Sequence, residues 1–145
     1  MAEINEITVF RDSSGNPSYG LVDDQNRVVV TLDQIQSGEY VSGTSGSVTS
    51  GTEHDVVSYT VPSGKIFSIT GWEASGNAHA VFRLYKGSSV VSQQRNSVAD
   101  PNVKSTLPVG LDVAAGVEIK ITVDHFESGK TIPYFGTIFG KVRDA

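Results

Sequence analysis

The chain has no cysteine, one tryptophan and one methionine in 145 residues. Without cysteine there are no disulfides and no thiolate metal sites. The fold must therefore hold by burial alone, and the composition suits a reducing compartment. No apolar run approaches the roughly 18–20 residues that a membrane helix needs. The opening Met1-Ala2-Glu3-Ile4-Asn5-Glu6 has neither a basic stretch nor an apolar one, so no signal peptide and no membrane partner are expected. Charge of one sign is also scarce where it would matter for phosphate. The chain carries a net −5, which argues against nucleic acid as a partner.

The negative charge is unevenly placed. Residues 1–36 hold six acidic and two basic side chains, whereas residues 55–145 hold eight acidic and nine basic ones. Composition shifts at the same places and divides the chain in three. Residues 1–36 contain short β-branched runs, Ile4–Phe10, Tyr19–Val22 and Val28–Leu32, broken by the turn clusters Asp12–Pro17 and Asp23–Asn26. They read as an N-terminal β arm. Three short strands cannot bury much of a core alone, so the arm is expected to pack on the main module, a sister chain or another protein. Its apolar residues Ile4, Ile7, Val9, Phe10, Val28 and Val30 are the candidates for a partner- or subunit-binding surface. Residues 37–54 are two-thirds Gly, Ser and Thr and read as a linker.

Residues 55–145 alternate with a period of two. Val117, Ile119, Ile121 and Val123 lie on one face, and Glu118, Lys120, Thr122 and Asp124 on the other; Phe67/Ile69 and Phe82/Leu84 repeat the pattern. Half-buried strands alternate in this way. Seven or eight of them punctuated by Gly and Pro turns predict an all-β antiparallel β-sandwich of jelly-roll type, preceded by the arm.

The chemistry of catalysis is thin. There is no Gly-x-Ser-x-Gly elbow, no His-Glu-x-x-His and no Gly-Lys-Ser/Thr phosphate loop. His54, His79 and His125 are far apart in sequence. The neighbouring pairs His54-Asp55 and Asp124-His125 point to opposite faces of a strand and cannot chelate by themselves. No enzyme activity, metal or cofactor is expected. The aromatics Trp72, Tyr85, Tyr134 and Phe135, with Phe139, are the remaining candidates, as a subunit interface or as a platform for a ligand. Tyr134 and Phe135 must face opposite ways, so one of them is expected outside the core.

Three stretches carry a likeness to a known family: Tyr59-Thr60-Val61-Pro62-Ser63-Gly64-Lys65 leading into Ile66–Trp72, Leu111-Asp112-Val113-Ala114-Ala115-Gly116-Val117, and Tyr134–Val142. On these the last ninety or so residues resemble the jelly-roll decoration (cement) proteins of tailed bacteriophages. The resemblance implies a virion structural protein on the capsid exterior, assembled in the host cytoplasm. It also implies a homotrimer bound to the major capsid protein, with arm and linker reaching sister subunits. The alternative it leaves open is a receptor- or carbohydrate-binding module of a phage tail or head fibre.

Overall fold

The computed structural model describes residues 6–11, 17–22, 28–29 and 37–145. The chain divides into two compact units, residues 1–35 and 36–145. In the first, β1 (Glu6–Arg11), β2 (Pro17–Val22) and β3 (Val28–Val29) form a three-stranded antiparallel sheet in that order. This is the meander expected of the arm.

The second unit has eight strands: β4 (Ser37–Thr49), β5 (His54–Thr60), β6 (Lys65–Gly76), β7 (Ala80–Lys86), β8 (Ser89–Arg95), β9 (Asn102–Ala114), β10 (Glu118–His125) and β11 (Thr131–Asp144). They make two four-stranded sheets, β4-β11-β6-β9 and β5-β10-β7-β8. The first strand of the unit pairs with the last, the second with the second-last, and so inward to the β7–β8 hairpin. This is a jelly roll: one long hairpin wound around a core, closed into two sheets.

The stretch expected as a linker is where the structure departs from the sequence reading. Residues 37–49 are β4, paired along most of β11. Its small residues have a packing reason. Val41, Gly43, Ser45 and Val48 turn toward the interior, and Val48 is buried. A Cβ on Gly43 would stand 2.8 Å from both the Val56 carbonyl oxygen and the Val57 Cβ. β4 therefore lies close over β5 only because glycine is there.

The alternation read from sequence places Phe67, Ile69, Phe82, Leu84, Ile119, Ile121 and Val123 in the core, all fully buried. Trp72 joins them by a route that simple alternation misses. Counting by two from Ile69 puts Trp72 outside. Between Ile69 and Gly71, however, β6 slips register against both β9 and β11. The extra residue, Thr70, reverses the phase, so that Trp72, Ala74 and Gly76 point inward. On the β9 side the same irregularity loops out Leu107-Pro108-Val109-Gly110 and leaves Val109 82% exposed. A looped-out proline on an edge strand blunts that edge against pairing with another chain.

Four loops, residues 50–53, 77–79, 96–101 and 126–130, meet at one end of the sandwich, as the winding requires. Asn96 holds two of them. It is 4% exposed. Its Oδ1 accepts from the Ala80 amide at 2.7 Å, and its Nδ2 donates to the carbonyls of Gly76, Ala78 and Pro101 at 3.0–3.2 Å.

Candidate functional site

The two outer faces of the sandwich differ in chemistry. On the β5-β10-β7-β8 sheet many of the outward side chains are charged, and several pair with one another. Glu53 accepts hydrogen bonds from the hydroxyls of Tyr85, at 2.9 Å, and Thr122, and lies 3.4 Å from an Arg83 guanidinium nitrogen. Arg83 donates through Nε to Gln93 at 2.9 Å, and Lys120 lies 3.1 Å from Asp55. Burial pushes the Glu53 carboxyl up, but the hydrogen bonds from Thr122 and Tyr85 and the Arg83 charge outweigh it, leaving it below the usual carboxylate range. The Tyr85 hydroxyl is raised by burial and by its bond to Glu53. These groups are largely paired with one another, as on a solvated face.

The outer face of β4-β11-β6-β9 is built otherwise. Along β11, Phe135, Thr137 and Phe139 stand outward in sequence, while Tyr134, Gly136, Ile138 and Gly140 turn in. Tyr40 of β4 lies directly opposite Phe139 and is 73% exposed. Phe135 is 55% exposed. Between the aromatics are hydroxyls, with Ser42 and Thr137 bonded to each other at 2.9 Å. This face presents three aromatic side chains with hydroxyls between them and the charged Lys141, Glu73 and Lys104 around them; exposed aromatics are the side chains most enriched in interface cores.

Burial redistributes the aromatics singled out from sequence. Trp72 and Tyr134 are fully buried and no partner can touch them. Trp72 is turned in by the β6 bulge. Tyr134 packs edge-on against Phe82 and at a shallow tilt against His125, both at 5.7 Å between ring centres, and burial raises its phenol to about 12. Tyr85 lies in the charged network of the opposite face. Of the four, only Phe135 stands on the aromatic face. Tyr40 is not among them, because a Gly/Ser/Thr stretch around an aromatic reads as linker. The signal was there in Tyr40-Val41, one residue out and one in. Of the arm residues, Ile7, Val9 and Phe10 lie on β1 and Val28 on β3, while Ile4 and Val30 fall outside the described residues. His54 and His125 are strand residues at the loop end, and the His125 ring nitrogen Nε2 lies 2.9 Å from the Val48 carbonyl oxygen. Among the described residues no three His, Asp or Glu side chains converge as metal ligands.

The end of the sandwich away from the loops is tied by an ionic clasp. Arg143 of β11 donates from two nitrogens to the Asp112 carboxylate of β9, at 2.6 and 3.2 Å, and to Ser68 of β6 at 2.8 Å. Ser68 also donates to Asp112, and Lys86, from the other sheet, donates to the Asp112 carbonyl at 2.7 Å. The hydrogen bonds from Arg143, then Ser68, hold the Asp112 carboxyl at about 2, against 3.8 ordinarily. A carboxyl depressed by folding stabilises fully above its unfolded value and loses that contribution as pH falls through the folded one. Thermal scans should therefore show this contribution intact above about pH 4 and lost as the pH falls toward about 2. Asp112→Asn should flatten that part of the profile. An unchanged acid limb in the variant would show that the clasp does not contribute.

No protein-family model matches the sequence, and no curated protein matches it. Among solved structures the chain is similar to one in the cryo-EM structure of the giant freshwater prawn Macrobrachium rosenbergii extra small virus (XSV) VLP. The two share 13% identity at a TM-score of 0.49, over 81% of this chain and 83% of that one. A chain of the cyanophage Pam1 capsid asymmetric unit shows the same identity and score, over 81% of this chain and 95% of that one. Both likenesses lie below the level at which a shared role follows.

Proposed function

We propose that the chain is a non-catalytic virion structural protein, a decoration subunit that binds the assembled shell from outside and stabilises it. The observation that carries this reading is the cross-strand pair Tyr40 and Phe139 on one outer face, with Phe135 farther along the same strand, whereas the opposite face centres on ion pairs of Arg83 with Glu53 and of Lys120 with Asp55. The resemblance of the turn motifs to those of phage decoration proteins supports the virion context. The face is large enough for the role. Four strands about 4.8 Å apart and twelve to fourteen residues long cover on the order of 800 Å², close to one partner's share of a standard interface.

The mechanism is linkage. A protein that binds the assembled lattice and not its dissociated subunits stabilises the lattice by mass action, by about 2.7 kcal/mol per site when free protein is at a hundred times its dissociation constant. In this reading the partners are the major capsid protein and sister subunits of a homotrimer. The arm residues Ile7, Val9, Phe10 and Val28 add a second, linked contact that raises avidity. The test uses shells of the parent virion prepared without the chain. Added protein should raise their melting temperature, and Tyr40→Ser combined with Phe139→Ser should lose most of that gain. Shells that bind nothing, or that are stabilised equally by the double variant, would overturn the reading.

A further inference from the structure

The loop end of the aromatic face, around Phe135, carries a feature beyond the Tyr40–Phe139 pair on which the docking test rests. Two cross-strand rows run from β11 through β6 to β9. One is Phe135, Ser75, Asn102; the other, two residues along, is Thr137, Glu73, Lys104. Together they line a groove of about 310 Å³, at the small end of the roughly 300–1,000 Å³ typical of ligand sites. A second hollow of about 170 Å³ lies on the other side of Phe135 and shares Phe135, Ser75 and Asn102 as walls. Its remaining walls include Asn77, Pro101 and Pro133. Phe135 is thus a half-exposed ring between two hollows with polar groups on either side.

The donor and acceptor set is distinctive. Ser75 and Thr137 can each donate and accept, the Asn102 amide does both, Glu73 accepts and Lys104 donates. Glu73 and Lys104 face each other in register, so the walls add one charge of each sign and favour no net charge in the ligand. The site is also fixed before any ligand arrives. Asn102 follows Pro101, whose carbonyl is bonded to both the Gly76 amide and the buried Asn96 side chain. Pro133 stiffens the approach to Phe135. A preorganised site does not have to order its loops on binding.

From these observations we infer that the groove binds a neutral pyranose ring of a glycan, stacked on Phe135 with its hydroxyls shared among Asn102, Ser75, Glu73 and Lys104. An aromatic face takes the apolar C–H side of such a ring. A rim of mixed donors and acceptors matches hydroxyls, which are themselves both. A phosphate or a carboxylate would meet Glu73, and an apolar peptide side chain would leave the polar rim unpaired.

The experiment is a two-dimensional ¹H–¹⁵N titration of the full chain with a panel of methyl hexopyranosides of gluco, galacto, manno and N-acetylated configuration. At least one member should give saturable shifts confined to the amides around Ser75, Asn102 and Gly136, with a dissociation constant in the millimolar range. Phe135→Ala, an exposed position whose spectrum elsewhere should be unchanged, should weaken binding by about tenfold or more. Asn102→Ala should weaken it in the same direction, and Tyr40→Ser should leave it intact. That last variant separates this site from shell docking, so either can fail alone. If no member of the panel gives saturable shifts, or if Phe135→Ala binds as well as the parent, the groove is not a glycan site. Competition of the sugar-induced shifts by added shells would assign Phe135 to the protein interface instead.

Discussion

Replacing Asn96 with alanine should cost about 3 kcal/mol of stability, lowering the melting temperature by roughly 10 °C. The side chain is 4% exposed and bonds only to main chain: Oδ1 accepts from Ala80, and the two hydrogens of Nδ2 are shared among the carbonyls of Gly76, Ala78 and Pro101. Each bond by itself is worth only about 1 kcal/mol net. The larger penalty comes from what is left behind. Alanine strands a buried amide and several carbonyls where water reaches poorly, and an unsatisfied buried group costs about 1–3 kcal/mol. Asp at this position should recover little, because it keeps the acceptor for Ala80 but presents an oxygen to three carbonyls. Thermal or urea unfolding of the two variants measures this directly. A loss under about 0.5 kcal/mol for Asn96→Ala would mean that the loops are held by other contacts.

The second large effect is expected at Gly43, and it tests whether residues 37–49 belong to the jelly roll in solution. A linker tolerates valine there; β4 does not. The new Cβ would meet the Val56 carbonyl oxygen and the Val57 Cβ at 2.8 Å, too close for any real contact, and neither neighbour is the loose end of a flexible side chain. Overpacking of this kind costs about 1–3 kcal/mol. Gly43 is at the upper end, since both neighbours belong to the β5 backbone and its first side-chain carbon. Gly38 on the same strand is the control. A Cβ there meets nothing within 4 Å, so Gly38→Val should stay within about 0.5 kcal/mol of the parent. Equal stabilities for Gly43→Val and Gly38→Val would return the segment to the status of a linker. Loss of β4 would also strip one side of β11 and uncover a fresh sheet edge.

Much of the fold was legible from residue order. The period of two in Val117–Asp124, the Phe67/Ile69 and Phe82/Leu84 pairs and the turns at Pro62-Ser63-Gly64 and Ala115-Gly116 are local signals, and the strands and core follow them. The Tyr134/Phe135 opposition was legible for the same reason, and the structure assigns Phe135 to the outside. Two features were not. A Gly/Ser/Thr strand looks like a linker, because small residues reveal nothing about the backbone that will lie over them. Trp72 looked like a surface aromatic, because a single extra residue at Thr70 reverses every later side chain on the strand.

The candidate site divides the same way. The absence of catalytic and metal-binding motifs and the near-neutral charge of residues 55–145 are properties of the sequence itself, and they direct attention to surfaces. That Tyr40 stands across from Phe139, that Phe135 rises between two hollows, and that Glu73 faces Lys104 are facts of register between strands far apart in the chain. By itself the sequence determined an all-β chain with alternating faces, because alternation is a property of neighbouring residues. Only the tertiary structure decided which outward side chains share a face, because strand pairing across about 30 to 100 residues and the register slips along β6 and β11 set that, and no local pattern encodes them.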